Sequence, residues 1–219
     1  MKDRPAAFPQ TAAWLGSFGR EYTDRNAHTV EQMEDLYRRN LGLTRTEINR
    51  RFLDPLSRSL RVLEVGSNIG TQLLCLKRMG FDRVTGFDLQ MDALRRSRNM
   101  ERGLALLQAS AYEIPCPDGA FDLVFTSGLL IHIPPERIAR VMREIYRCTR
   151  KYIWGAEYFA PRATEIPYRG KTGLLWKGDY AGLYLRLFRG LELVREERCK
   201  YIRDDNVDAF FLLRKVHSS

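Results

Sequence analysis

One short stretch of the chain, Glu64-Val65-Gly66-Ser67-Asn68-Ile69-Gly70, sets an acid, two glycines and an amide side by side. A second acid, Asp88, closes the next apolar run, Val84-Thr85-Gly86-Phe87-Asp88. Glycines at such a point let a backbone turn sharply and approach a ligand, and an acid about 20 residues on can accept hydrogen bonds from a ribose diol. Ser110-Ala111, Thr126 and His132 follow later apolar runs, and Glu157, Tyr158, Glu165, Tyr168, Arg169 and Asp179 gather toward the C-terminal third. An imidazole titrates near neutrality, which makes His132 a candidate general base or a structural hydrogen-bonding group. Glu157 and Asp179 are suited to orienting a hydroxyl or amine. Arg169 can grip a carboxylate or phosphate through a bidentate fork, and Tyr158 and Tyr168 add hydrogen-bonding phenols. The mixture suits a nucleoside-bearing ligand and a polar second molecule.

These residues need a scaffold. The runs predict a strand over 61–66, a helix over about 69–79 and a strand over 83–88, one right-handed βαβ unit. A helix from Asp92 follows, then strands at Leu104–Gln108 and Phe121–Thr126. Pro134 and Pro135 open a helix whose apolar face is Ile138, Val141, Met142 and Ile145. A fifth strand covers Tyr152–Tyr158, and the tail predicts an antiparallel pair at Glu192–Tyr201 and Asp208–Val216. Thr29 with Gln32, and Thr44 with Glu47, predict two capped helices. Residues 1–28 read as a loop-rich cap. The organisation expected is a cap with helices over 1–57 and a core over 58–219, in one structural domain. Ligands of open α/β sheets lie beyond the carboxyl ends of the strands, which gathers Gly66, Asn68, Gly70, Asp88 and Ser110 around one crevice.

The same strand, turn, helix and distal acid also serve nicotinamide cofactors, and an ordinary turn, with Asp88 capping the helix before Gln90-Met91, would need no ligand. The loop has Asn68 where a dinucleotide fingerprint has its middle glycine. Together the two motifs resemble those of class I S-adenosylmethionine (SAM) methyltransferases. That resemblance implies an α/β, Rossmann-like class I fold: a seven-stranded, mostly parallel sheet with a C-terminal antiparallel hairpin and an N-terminal helical cap. It implies SAM as methyl donor, with S-adenosylhomocysteine as product. It also implies that Asp88 holds the ribose, Leu89 packs on adenine and Ser110-Ala111 meets the adenine amine. Glu64 lies beneath the loop, Thr126 faces the cofactor, and Tyr22 and Arg25 close over it and meet its carboxylate.

Trp14-Leu15-Gly16-Ser17-Phe18-Gly19-Arg20, Glu165-Ile166-Pro167-Tyr168-Arg169-Gly170, Lys177-Gly178-Asp179-Tyr180 and Phe210-Phe211-Leu212-Leu213 resemble the pseudaminic acid biosynthesis-associated methylase family. The chain departs from it in a shorter segment before Phe210 and in Phe210 itself, where the family has Trp. The family name reflects association with a nonulosonic acid pathway and does not itself fix the reaction; the reaction expected is methyl transfer to an oxygen or nitrogen of a small polar, acidic metabolite such as a sugar acid, nucleotide-linked sugar or natural-product precursor. A carboxylate acceptor would need no base.

Bulk properties bound the rest. The chain has 219 residues, 44% hydrophobic and 29% charged, the composition of a globular protein. No apolar run approaches the roughly 20 residues of a membrane span, and no signal-like segment follows Met1, so a cytoplasmic enzyme is expected. Four scattered cysteines and three histidines predict reduced thiols and no metal site. The net charge of +9 would attract an anion, and an RNA-directed methyltransferase or RNA-binding module is the alternative reading. The basic residues are spread along helices, which argues against nucleic acid and for a small acidic partner.

Overall fold

Four helices precede the first strand in the computed structural model, which describes residues 9–26, 28–100 and 103–216. They are α1 (Pro9–Leu15), α2 (Ser17–Asn26), α3 (Val30–Leu41) and α4 (Arg45–Leu53). The two capping boxes form as the sequence predicts: Thr29 with Gln32 opens α3, and Thr44 with Glu47 opens α4. The loop-rich cap expected over 1–28 is corrected where the chain is described, since α1 and α2 are helical. Trp14, Phe18 and Tyr22 stand four residues apart and pack edge-on, with centroids 5.2 and 5.0 Å apart. Gly16 separates α1 from α2, its N–H donating to the Ala12 and Ala13 carbonyls, and the break hides the stripe from a periodicity reading. Residues 1–8 and 27 of that stretch lie outside the described residues.

From β1 (Val62–Val65) the chain alternates: α5 (Thr71–Arg78), β2 (Val84–Asp88), α6 (Met91–Met100), β3 (Ala105–Gln108) and β4 (Phe121–Ser127). A 3-10 turn at Leu130–His132 leads to α7 (Pro135–Cys148), which runs straight into β5 (Thr149–Tyr158). β5 therefore starts earlier than expected, and the Thr149 hydroxyl donates to the Ile145 carbonyl at the junction. A small ribbon, β6 (Thr164–Glu165) with β7 (Trp176–Lys177), and α8 (Tyr180–Leu187) follow, none of them anticipated. The hairpin of β8 (Leu191–Lys200) and β9 (Val207–Lys215) closes the chain, as predicted.

The seven strands run in the order β3-β2-β1-β4-β5-β9-β8. The first five are parallel and β9 is antiparallel to both its neighbours. All four residues of β1 are buried, as a central strand covered on both faces requires. One face packs Val124, Ile153 and Phe211 against α7 and α8; the other packs Phe125, Trp154 and Phe210 against α4 and α5. Strand order reverses at β1 and β4, and their carboxyl ends frame the crevice. Among the described residues no helix is long and apolar enough to cross a membrane.

Candidate functional site

The loop after β1 is held in left-handed backbone at alternate residues: φ is +78° at Gly66, +49° at Asn68 and +86° at Gly70. A Cβ on Gly66 would stand 2.8 Å from the Leu129 side chain. Asn68 is one of the few non-glycine types that adopts this conformation readily, so the turn survives the missing middle glycine. The Asn68 N–H donates to Asp88 Oδ2 at 2.7 Å, and the Gln90 N–H donates to Asp88 Oδ1 at 2.8 Å. Asp88 thereby ties the loop to the end of β2 while keeping lone pairs for a ligand. Burial pushes its carboxyl up, and the amides of Gln90, Asn68 and Leu89 pull it back.

This loop opens into a cavity of about 460 Å³, within the usual range for small-molecule sites. Its wall includes Glu64, Gly66, Asn68, Asp88, Leu89, Ser110, Ala111 and Tyr22 of the expected cofactor residues, and His132, Glu157 and Tyr158 of the others. Gly70 and Thr126 stand behind the wall: Gly70 caps α5, and Thr126 is buried against Glu157. Arg25 is also off the wall, with Nε and Nη2 buried and unpartnered among the described residues.

Three expected substrate or catalytic residues lie elsewhere. Asp179 caps α8, its Oδ1 accepting the Gly182 N–H at 2.9 Å. Arg169 is exposed at the tip of the Tyr168–Lys171 turn, with φ +54°. Tyr168 stands behind the wall, its ring 5.8 Å from that of His132 and packed against the cluster that holds Trp14. Glu165, on the same loop, accepts the Gly173 N–H.

Sequence reasoning missed Trp14, Tyr37, Asn40, Tyr201 and Asp208, which all line the cavity. The last two flank the turn of the final hairpin, where register with Tyr158 is a tertiary fact. Trp14 was hidden by Gly16.

His132 lies in an aromatic cage, with ring centroids of Trp14 at 4.5 Å and Tyr22 at 5.6 Å. Its Nδ1 stands 2.8 Å from the Leu174 carbonyl. Burial lowers its pKa to about 4, so the ring is neutral near pH 7. With the proton on Nδ1 donated to Leu174, Nε2 carries the lone pair. Glu157 holds the turn that bears this histidine: its carboxylate accepts the Leu129 and Ile131 N–H groups at 3.2 and 3.3 Å. Burial pushes Glu157 up to about 7 despite these donors.

Four carboxylates, Glu64, Asp88, Glu157 and Asp208, reach the wall, and among the described lining residues there is no Lys or Arg. Glu64 is 2% exposed and its Oε2 has no partner among the described residues. Burial holds it well above the carboxylate range, Arg45 opposes this, and Asp88 adds to it. Arg45 is wholly buried behind the wall, donating to Asn49 and Tyr37 at 2.9 and 2.8 Å and lying 4.7 Å from the Trp154 ring centroid. The unpartnered oxygens of Glu64 and Asn68 fit the ammonium of a zwitterionic ligand whose ribose meets Asp88.

Residues 62–152 match the family model for a methyltransferase domain. A chloroplastic 2-methyl-6-phytyl-1,4-hydroquinone methyltransferase 2 of Oryza sativa subsp. japonica is 32% identical over 100 residues, 44% of this chain and 28% of that protein. The chain spans only 28% and 39% of the curated relatives it matches. Among solved structures, the 1,6-didemethyltoxoflavin-N1-methyltransferase of Burkholderia thailandensis, with bound 1,6-didemethyltoxoflavin and S-adenosylhomocysteine, superposes with a TM-score of 0.70. It is 17% identical, covering 98% of this chain and 93% of that one. The cyclase SpnF superposes with a TM-score of 0.62 at 18% identity, covering 79% and 80%. The architecture is thus the Rossmann-like class I methyltransferase fold, and proteins of that fold carry more than one named reaction.

Proposed function

We propose that this protein is a SAM-dependent methyltransferase acting on an oxygen or nitrogen of a small polar molecule. The observation that carries the reading is the make-up of the wall: four acidic side chains and no Lys or Arg among the described lining residues. SAM brings a sulfonium and an ammonium and carries no phosphate, so a wall that offers hydrogen-bond acceptors and no cation suits it. A dinucleotide's diphosphate or an RNA backbone would meet carboxylates instead of the cations that phosphate recognition uses. The nicotinamide and RNA readings are accordingly disfavoured.

When bound, the cofactor supplies an activated methyl group on sulfur. In this reading Asp88 holds the ribose hydroxyls, Leu89 and Ala111 flank the base, and Glu64 meets the ammonium. His132 Nε2 receives a proton from the acceptor hydroxyl or amine, and Glu157 keeps the histidine's turn in place. Because burial makes His132 a weak base, most of the rate enhancement is assigned to alignment and exclusion of water under α1 and α2. An acidic acceptor, as in the sugar-acid reading that the flanking motifs imply, would have to find its cation off the wall, and Arg169 stands on an exposed turn. Incubation with methyl-labelled SAM and candidate acceptors, followed by mass spectrometry, tests the proposal. Labelled product and S-adenosylhomocysteine support it; their absence with all acceptors, alongside no S-adenosylhomocysteine binding, contradicts it.

A further inference from the structure

The cavity has a second end that the cofactor reading leaves unused. Along the sheet, Glu64 is level with Phe125 and Trp154, whereas Asp208 is level with Tyr158, four residues farther toward the carboxyl end of β5. Asp208 also lies three strands away from β1, roughly 14 Å at the usual strand spacing. Asp208 therefore stands apart from the groups assigned to the cofactor.

This end is built. Asp208 is 7% exposed, and it lines the cavity with Oδ1 unpartnered among the described residues. Its Oδ2 accepts the Tyr201 hydroxyl at 3.3 Å. The Tyr201 ring packs edge-on against Tyr158, centroids 6.3 Å apart, and Tyr37 enters from α3 with its hydroxyl held by Arg45. The Tyr201 N–H closes the hairpin onto the Asn206 carbonyl at 2.8 Å, which fixes Tyr201 beside Asp208. Two cations, Arg45 and Lys177, act on Asp208 from behind, yet neither bonds to Oδ1, and Lys177 Nζ donates to Asn206. A buried carboxylate oxygen without a donor is costly, and a ligand N–H or O–H offsets that cost. The tyrosine faces suit a flat or cationic neighbour.

We infer that Tyr37, Tyr158, Tyr201 and Asp208 form the acceptor subsite, and that it selects an acceptor presenting an amine or hydroxyl donor to Asp208 Oδ1, discriminating against a carboxylate at that position. The inference rests on the methyltransferase reading for the identity of the neighbouring ligand, and it narrows the acceptor to a donor-bearing class.

Three probes that share one phenol ring test it: tyramine, tyrosol and 4-hydroxyphenylacetate, bearing an ammonium, a hydroxyl and a carboxylate. Burial pushes Asp208 up to about 7, so binding is measured by ligand-observed NMR at about pH 8.5, where its carboxylate is ionised. The protein is loaded with S-adenosylhomocysteine. Tyramine and tyrosol are expected to bind at least about tenfold more tightly than 4-hydroxyphenylacetate, a difference of about 1.4 kcal/mol. Asp208→Asn should erase the preference while binding S-adenosylhomocysteine as wild type does, which shows that it is folded. Equal binding of the three probes, no binding by any, or a preference surviving in Asp208→Asn overturns the inference. Failure of wild type to bind S-adenosylhomocysteine is a separate result that contradicts the cofactor reading instead.

Discussion

The backbone N–H of Asn68 donates to the Asp88 carboxylate across 2.7 Å, so the turn after β1 and the acid ending β2 are one hydrogen-bonded unit. A ligand that engages Asp88 therefore also senses the loop. Asp88→Ala removes a charged acceptor from the ligand and from the amides of Asn68 and Gln90 together. At about 1.5–3 kcal/mol for hydrogen bonds to a charged group, affinity for S-adenosylhomocysteine should fall about 10- to 100-fold. Titration calorimetry reads the affinity. Urea unfolding should show a parallel loss of about 1–3 kcal/mol as the two amides lose their acceptor.

Asn68 separates backbone from side chain. Its φ of +49° is free for glycine but strained for alanine. Asn68→Gly should keep stability close to wild type, whereas Asn68→Ala should lose about 1–2 kcal/mol. Chemical denaturation compares the two, and equal stability would show that the turn relaxes out of the left-handed region.

Two buried groups give opposite pH dependences. The pKa of His132 is about 4 when folded and 6.5 when unfolded. Its contribution is complete above 6.5 and is lost as pH falls toward 4, at most about 3 kcal/mol. The pKa of Glu157 is raised from 4.5 to about 7, so its contribution is complete below 4.5 and is lost as pH rises through 7. The stability gap between wild type and His132→Gln should shift against wild type as pH drops from 6.5 to 4. The gap to Glu157→Gln should shift against wild type as pH rises from 4.5 to 7. Denaturation curves across pH 4–8 provide the check, and a slope of the reverse sign in either pair would refute the assigned burial.

Trp14 keeps water from His132, its ring 4.5 Å from the imidazole. Trp14→Ala should hydrate the ring and move its pKa from about 4 up toward 6.5, because burial is the main cause of the depression. NMR titration of the imidazole protons measures the change, and an unmoved pKa would assign the depression to another neighbour.

Local patterns made much of the fold readable. The apolar β1 run, the two capping boxes, the Pro134-Pro135 helix start and the terminal strand pair each carry their own signal, and each element forms. Asp88 and the glycine loop were legible because their spacing encodes a turn. Asp208 was not, since its importance comes from lying opposite Tyr158 on an antiparallel neighbour. Asp179 misled for the complementary reason: an acid directly after a glycine can orient a substrate or cap a helix, and here it caps α8. The aromatic stripe of α1 and α2 was obscured by one glycine, although Trp14, Phe18 and Tyr22 keep helical spacing across it.

The central claim is that the carboxylate-lined cavity holds SAM or its product. A crystal structure of the protein soaked with S-adenosylhomocysteine tests it most directly. The account predicts the ribose at Asp88, the base between Leu89 and Ala111, and the ammonium at Glu64 Oε2. Density for the ligand elsewhere, or a cavity that stays empty at saturating S-adenosylhomocysteine, would contradict it.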